Sequence, residues 1–378
     1  MTTTVIYWFR QDLRTRDLPG LVAAAERGER VIPCYVFDTA TPGQWAPGAA
    51  SRWWLHHSLA SLDESLRSLD SRLLIRTGPA EEVITALVAE VDAQAVYCSR
   101  SHEPWAAAVE KRLHEDLNAA GVDFKRYPGA LLLEPEDVRT KAGAPYKVFT
   151  PFWRAARDSL NPSRPLPAPT SLPPVGASLT GLTIDELGLL PVKPDWASGW
   201  QEYWQPGESG AARASEDFFA SWIGDYASGR DFPARECTSR LSPHLHLGEI
   251  SPRMVWHIAR QHAEAQPDDA DQVDKFLTEL GWREFSTHLL HHFPAMPERN
   301  FKDTFDNFPW LGQADHLAAW QQGQTGYPLV DAGMRELWST GYMHNRVRMV
   351  VGSFLVKHLL ISWQRGEAWF WDTLVDAD

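Results

Sequence analysis

The first 130 residues alternate between short apolar runs and amphipathic stretches, and that rhythm constrains the chain more than any other feature. TVIYWF (4–9), RVIPCYVF (30–37), RLLIRTG (72–78) and AVYCSR (95–100) read as short buried strands. Between them SRWWLHHSLASLDESLRSLD, AEEVITALVAEVD and EPWAAAVEKRLHEDLNAAG carry apolar residues at steps of three and four, the helical period. Strand and helix in alternation predict a doubly wound parallel sheet with helices on both faces, whose ligands sit at the carboxyl ends of the strands. The first strand leads into WFRQDLRTRD rather than a glycine-rich turn, and no GxxxxGK[ST] loop occurs, so the usual nucleotide signatures are missing.

From Asn161 the character changes. NPSRPLPAPTSLPPV holds six prolines in fifteen residues, too many for a helix or a central strand, and predicts a linker crossing the surface. Beyond Ser209 strand patterns disappear and helical periodicity takes over, so the expected division is an α/β domain over 1–130, a linker over 131–208 and an all-α domain over 209–378. The stretch GYMHNRVRMVVGSFLVKHLLISW (341–363) reads as one long apolar helix that carries His344, Asn345, Arg346 and Arg348 near its start.

No apolar run reaches the roughly 18 residues of a membrane span, and the N-terminus lacks a secretory pattern, so a cytoplasmic protein is expected. Cys34, Cys98 and Cys237 are far apart and without metal-type spacing, which argues against disulfides and a zinc site. A formal charge of −13 argues against indiscriminate nucleic-acid binding and leaves a local basic site open.

Three constellations could carry chemistry. In RDFPARECTSRLSPHLHLGEISP (230–252), Ser242 before Pro243 and Ser251 before Pro252 fit two ordinary helix starts. Thr238, Ser239, Arg240 and Ser242 also fit an anion site that would hold a diphosphate. In FLTELGWREF, Phe276, Glu279, Trp282 and Arg283 lie along one side of a helix, either as a surface Glu279–Arg283 pair or as a pocket for a stacked base. In 341–363, Asn345, Arg348, Met349 and Gly352 share a face and Arg346 points elsewhere, which suggests one face toward a carboxylate or cofactor and another toward phosphate. Glu284, His288, His291 and His292 recur at helical steps, but without a second such helix no metal is expected. The chain has 18 tryptophans, 13 of them after residue 150; an aromatic-rich core accounts for any one of them, and the cluster as a whole calls for a further reason.

WFRQDLRTRD, YKVFTPFW, RDFPA, TSRLSPHLHLGEISP, ELGWREF, QTGYPLVDAGMREL, GYMHNRVRMVVGSFLVKHLL and WFWDTLVDAD, in this order, closely resemble the cryptochrome/photolyase family, and within it the class I bacterial cyclobutane pyrimidine dimer photolyases. The resemblance implies a helical domain holding flavin adenine dinucleotide and light-driven repair of pyrimidine dimers by electron donation from reduced flavin. A blue-light receptor of the cryptochrome type, without repair, is the alternative. By position, Tyr226, Thr238, Ser239, Arg240, Leu241 and Ser242 would bind the flavin's phosphates and ribityl chain, Phe276 would lie against it, and Arg348 with Asp376, and Asp378, would hold it. Glu279, Trp282 and Met349 would line the dimer pocket, and Arg230, Arg283, Asn345 and Arg346 would serve the DNA surface. Trp310 and Trp363 match members of the family's photoreduction chain, and Tyr342 stands where the family usually has tryptophan.

The family continues past LVDAD, so a fragment or a C-terminally truncated protein is expected. Glu103 and Pro104 are more like deazaflavin-binding than folate-binding members, which implies a deazaflavin antenna or none. UV-damaged DNA is the implied partner, bound by a monomer.

Overall fold

The computed structural model describes residues 2–176 and 179–378. Five strands, β1 (Thr4–Phe9), β2 (Arg30–Phe37), β3 (Leu74–Thr77), β4 (Ala95–Ser99) and β5 (Asp123–Tyr127), form one parallel sheet in the order β3-β2-β1-β4-β5. Helices α1 (Pro19–Arg27), α2 (Ala49–Arg67), α3 (Ala80–Val91) and α4 (Pro104–Ala119) make the crossovers. The two-residue period of β1 divides the core: Val5, Tyr7 and Phe9 pack with α1 and α2, and Ile6 and Trp8 with α3 and α4. A strand buried on both faces needs no polar alternation, which is why TVIYWF is wholly apolar. β5 was missed in the sequence because it is an edge strand, DFKRY, with Phe124 its one buried residue.

The proline-rich segment is not a free surface crossing. Pro173 accepts from Val31, Leu172 donates to Leu69, and Leu182 bridges to Ile75, so it runs against the sheet and buries Leu172, Val175 and Leu179. Proline removes N–H donors but not the need to cover the apolar margin of β2 and β3. Upstream of it, α5 (Phe149–Ser159) buries Phe152, Trp153 and Ala156 in the core of the helical part.

That part comprises α6 (Glu208–Ser221), α7 (Tyr226–Gly229), α8 (Ser242–His246), α9 (Pro252–Ala265), α10 (Ala270–His292), α11 (Ala314–Gln321), α12 (Pro328–Thr340), α13 (Asn345–Ser353) and α14 (Trp363–Thr373). The stretch 341–363 is not one helix. Gly341 turns the chain in the left-handed region at φ +69°, α13 begins at Asn345, its last turn widens to a π-helix over Phe354–His358, and the chain breaks at Leu360 before α14. Among the described residues no helix is long and apolar enough to cross a membrane.

Candidate functional site

The start of α13 gathers the site. His344 caps it by accepting from the Arg346 N–H at 3.2 Å, and burial followed by the nearby Arg230, Arg346 and Arg348 charges lowers the pKa of its ring. Arg348 turns inward: its Nε donates to the Met343 carbonyl at 2.7 Å and its Nη2 to Asp376 Oδ2 at 2.8 Å. The Ser242 hydroxyl donates to the same oxygen at 2.6 Å. Ser242 therefore does not cap α8, whereas Ser251 does cap α9 by accepting from Met254. The other Asp376 oxygen, Oδ1, is buried and has no hydrogen-bond partner among the described residues, so it is free to accept from a ligand's donor.

Around it, Leu241 is buried and anchors the 238–242 run, while Thr238, Ser239, Arg240 and Ser242 keep partial or full access to solvent. Arg240 sits in the left-handed region at φ +50°, its guanidinium 5.8 Å from the Trp204 ring and 5.9 Å from the Tyr342 ring. Tyr226 is buried, its hydroxyl accepting from Arg230 at 3.4 Å. Phe276 packs with Phe218, Phe219 and Tyr226 in the core, so its ring supports the site from behind.

The outward face differs from expectation at two arginines, Arg230 and Arg283. Arg230, expected at the DNA surface, is buried and forms an ion pair with Glu279, which also lies 3.5 Å from Lys275. Glu279 therefore pairs with Arg230 and not with Arg283. Arg283 donates to the Ala130 carbonyl at 2.7 Å and lines a cavity, because the chain after β5, from Ala130 to Leu133, lies across its side of α10. Arg346 does face out, paired with Asp231 at 2.6 Å and 3.6 Å from the Met349 sulfur. Met349 is thus exposed beside Arg346 rather than inward beside Arg348. Asn345 is exposed at the head of α13. Trp282 is 45% exposed and stacks on Phe149, ring centroids 3.7 Å apart and planes 9° from parallel, leaving the other face of the indole open. Phe149 and Asp231 were not singled out in the sequence, although both stand inside the quoted motifs YKVFTPFW and RDFPA.

Asp378 does not join Asp376. It lies 3.6 Å from His246 and lines a cavity of about 770 Å³ between the carboxyl ends of the strands and the helical part, with Trp8, Arg10, Trp45, Glu103 and Trp105 among its walls. Trp310 packs on Phe308 at 4.4 Å, Trp363 donates to Asn300 at 2.8 Å, and the Leu311–Leu360 backbone bond draws the two segments together.

A DNA photolyase family model matches residues 5–171, and the model of the FAD-binding domain of DNA photolyase matches 276–378. The chain is 46% identical, over its full length and 78% of the relative's, to a deoxyribodipyrimidine photo-lyase of Agrobacterium fabrum. The chain belongs to the photolyase/cryptochrome family. A solved bacterial class III photolyase from Agrobacterium tumefaciens superposes with a TM-score of 0.95 at 46% identity, covering all of this chain and 77% of that one. Cryptochrome-2 of Arabidopsis thaliana is 39% identical over all of this chain and 63% of its own length. The residues here fit the family's flavin: the orphaned Asp376 oxygen suits an N–H donor, and the hydroxyls with Arg240 suit a diphosphate.

Proposed function

We propose that this chain is a deoxyribodipyrimidine photo-lyase that binds flavin adenine dinucleotide and repairs cyclobutane pyrimidine dimers under light, of the class III type rather than class I. The observation that carries the reading is Trp282, braced on Phe149 with one face open, beside Glu279. A damaged, poorly stacked pair is cheap to extrude, and a flat indole with a carboxylate beside it receives it. The 46% identity to a class III photolyase supports the subclass.

When bound, reduced flavin supplies the electron that opens the dimer's ring. Arg348 and Asp376 orient the cofactor, and Ser242 fixes the carboxylate that Arg348 neutralises. Thr238, Ser239 and Arg240 take the diphosphate. Arg230 holds Glu279 in place to accept from a base edge, and Arg346 and Asn345 meet the phosphate backbone. The interior cavity, walled by Trp45, Trp105 and Glu103, takes a flat antenna, deazaflavin rather than folate.

The test is extraction of flavin from the purified protein, followed by illumination with DNA containing a thymine dimer and counting of restored thymines. Flavin release with light-dependent repair is expected. Flavin without repair turns the assignment to a cryptochrome-type receptor, which the plant cryptochrome identity also supports. A protein that binds no flavin overturns the site.

A further inference from the structure

A base that stacks on the free face of Trp282 meets a plane set by Phe149, and the start of α5 has little of its own to hold Phe149 in place. The helix opens without a side-chain cap, its N-cap Val148 is 61% exposed, and Lys147 before it is exposed as well. A helix start with unpaired N–H groups is a turn that frays. The contact that fixes this one comes from α10. His288 is buried, and its Nε2 accepts the Tyr146 N–H at 3.1 Å, just upstream of Phe149. Among the described residues no other hydrogen bond joins 141–149 to α10. We propose that His288 is a positioning residue for lesion recognition, setting the Phe149 ring behind Trp282 through the Tyr146 backbone. The inference rests on the dimer-pocket reading above.

One rigid element carries both the indole and the clamp that places its backing ring. Trp282 and His288 stand about 9 Å apart along the axis of α10. Between them Phe285 meets Phe149 at 5.8 Å and Trp282 at 6.0 Å, and the His288 ring lies nearly parallel to it at 6.4 Å. His288 also packs on Phe152 of α5 at 5.0 Å. The imidazole therefore holds α5 twice, by its backbone approach and by a ring in its first turn. Glu284 and His292 bind Leu132, Leu133 and Pro135 to the same helix, but those contacts lie further back in the chain from Phe149.

Acceptance at Nε2 requires a neutral ring with its proton on Nδ1. Burial, with His292 and His291 nearby on the same helix, lowers the pKa of His288 to about 4, so the acceptor is intact at neutral pH. An aliphatic side chain here would fill the space between Phe152 and Phe285 but leave the Tyr146 N–H without its acceptor. A carboxylate would bring a charge into a site that offers it no cation, at a high desolvation cost. A neutral, flat acceptor meets both demands.

The test titrates the flavin-loaded protein in the dark with labelled duplexes that do or do not contain a thymine dimer. His288→Leu should lower the preference for the dimer by about 2- to 10-fold, the net worth of one hydrogen bond, with flavin content and affinity for undamaged DNA unchanged. His288→Gln, whose amide oxygen reaches the same N–H, should keep the parent's preference. Phe149→Ala should lose the preference as well, and adding His288→Leu to it should cost nothing more, because residues that act through one contact are not additive. Parental preference in His288→Leu, full additivity in the double variant, equal weakening on undamaged DNA, or a His288→Gln protein no better than His288→Leu overturns the assignment. If His288→Leu does not retain flavin, His288→Asn, whose amide stops short of the Tyr146 N–H, and Phe149→Ala carry the test: a loss of dimer preference in both supports the role, and parental preference in either overturns it. Parental preference in Trp282→Ala sinks the pocket reading instead.

Discussion

On the function proposed above, Trp282 and Arg346 are the two side chains on which contact with DNA would turn. The Phe149 ring fixes the indole plane before any base arrives, so little ordering remains for binding to impose. Trp282→Ala should lose about 1 to 3 kcal/mol of preference for dimer-containing over undamaged DNA, the range for base–aromatic stacking, at unchanged flavin content. Titration of labelled duplexes with and without a dimer measures it, and equal preference in parent and variant excludes Trp282 from the pocket. Arg346 must leave Asp231 to meet a phosphate. Arg346→Ala should weaken binding to damaged and undamaged DNA alike and reduce the slope of log K against log salt by about 1. Asp231→Asn should do the opposite, strengthening both, since the competing carboxylate is gone. Binding isotherms at several salt concentrations separate these effects, and a change confined to damaged DNA would place Arg346 against the lesion instead.

Helices α12 and α13 position the inward arginine through a close approach that only glycine permits. A Cβ on Gly333 would lie 2.3 Å from Val347 Cγ1 and 3.3 Å from Val351 Cγ2, so any side chain there pushes α13 away from α12. Gly333→Ala should destabilise the protein by about 1 to 3 kcal/mol, the usual cost of overpacking, and should loosen the Arg348–Asp376 pair. Urea unfolding and flavin retention read the two consequences separately. The periodicity of 341–363 was legible, but its division was not. The break comes at Leu360, held at φ +51° and accepting from Leu311 at 2.7 Å, and nothing in the apolar pattern VVGSFLVKHLLISW announces that contact. β5 escaped for the converse reason, because an edge strand with one buried side chain has little pattern to show.

At the scale of the whole molecule, buried ionisable groups tie the segment after the sheet to α10. Glu284 accepts from the backbone N–H groups of Leu132 and Leu133 at 2.9 and 3.1 Å, and burial raises its pKa from the ordinary 4.5 to about 7 against the opposing pull of Arg283. Between those values the native state binds the extra proton, so this group's contribution to stability falls as pH rises. His102 and His288 act in the opposite sense. Burial lowers both to about 4, the unfolded state binds more protons from there up to 6.5, and their contribution is lost as pH falls. Glu284→Gln keeps an acceptor oxygen for the two N–H groups and removes the titration. Its stability should therefore rise more steeply with pH than the parent's across that window, by up to about 1.4 kcal/mol per pH unit. Urea denaturation at a series of pH values tests it, and parallel curves would show Glu284 titrating alike in both states. Sequence alone determined the parallel sheet, because strand and helix periods are local, and it determined the hydroxyl–arginine run, because those residues are adjacent in the chain. The helical period also set Arg346 and Arg348 on different faces, but it could not say which way Arg230 and Arg283 turn. Arg230, Arg283, Arg346 and Arg348 are chemically alike, and their roles diverge by the partner that folding delivers: Glu279, the Ala130 carbonyl, Asp231 and Asp376. Those partners come from other elements, so for Arg230 and Arg283 the direction of the guanidinium is set by tertiary contact, whereas for Arg346 and Arg348 the helix face sets the direction and tertiary contact supplies the partner.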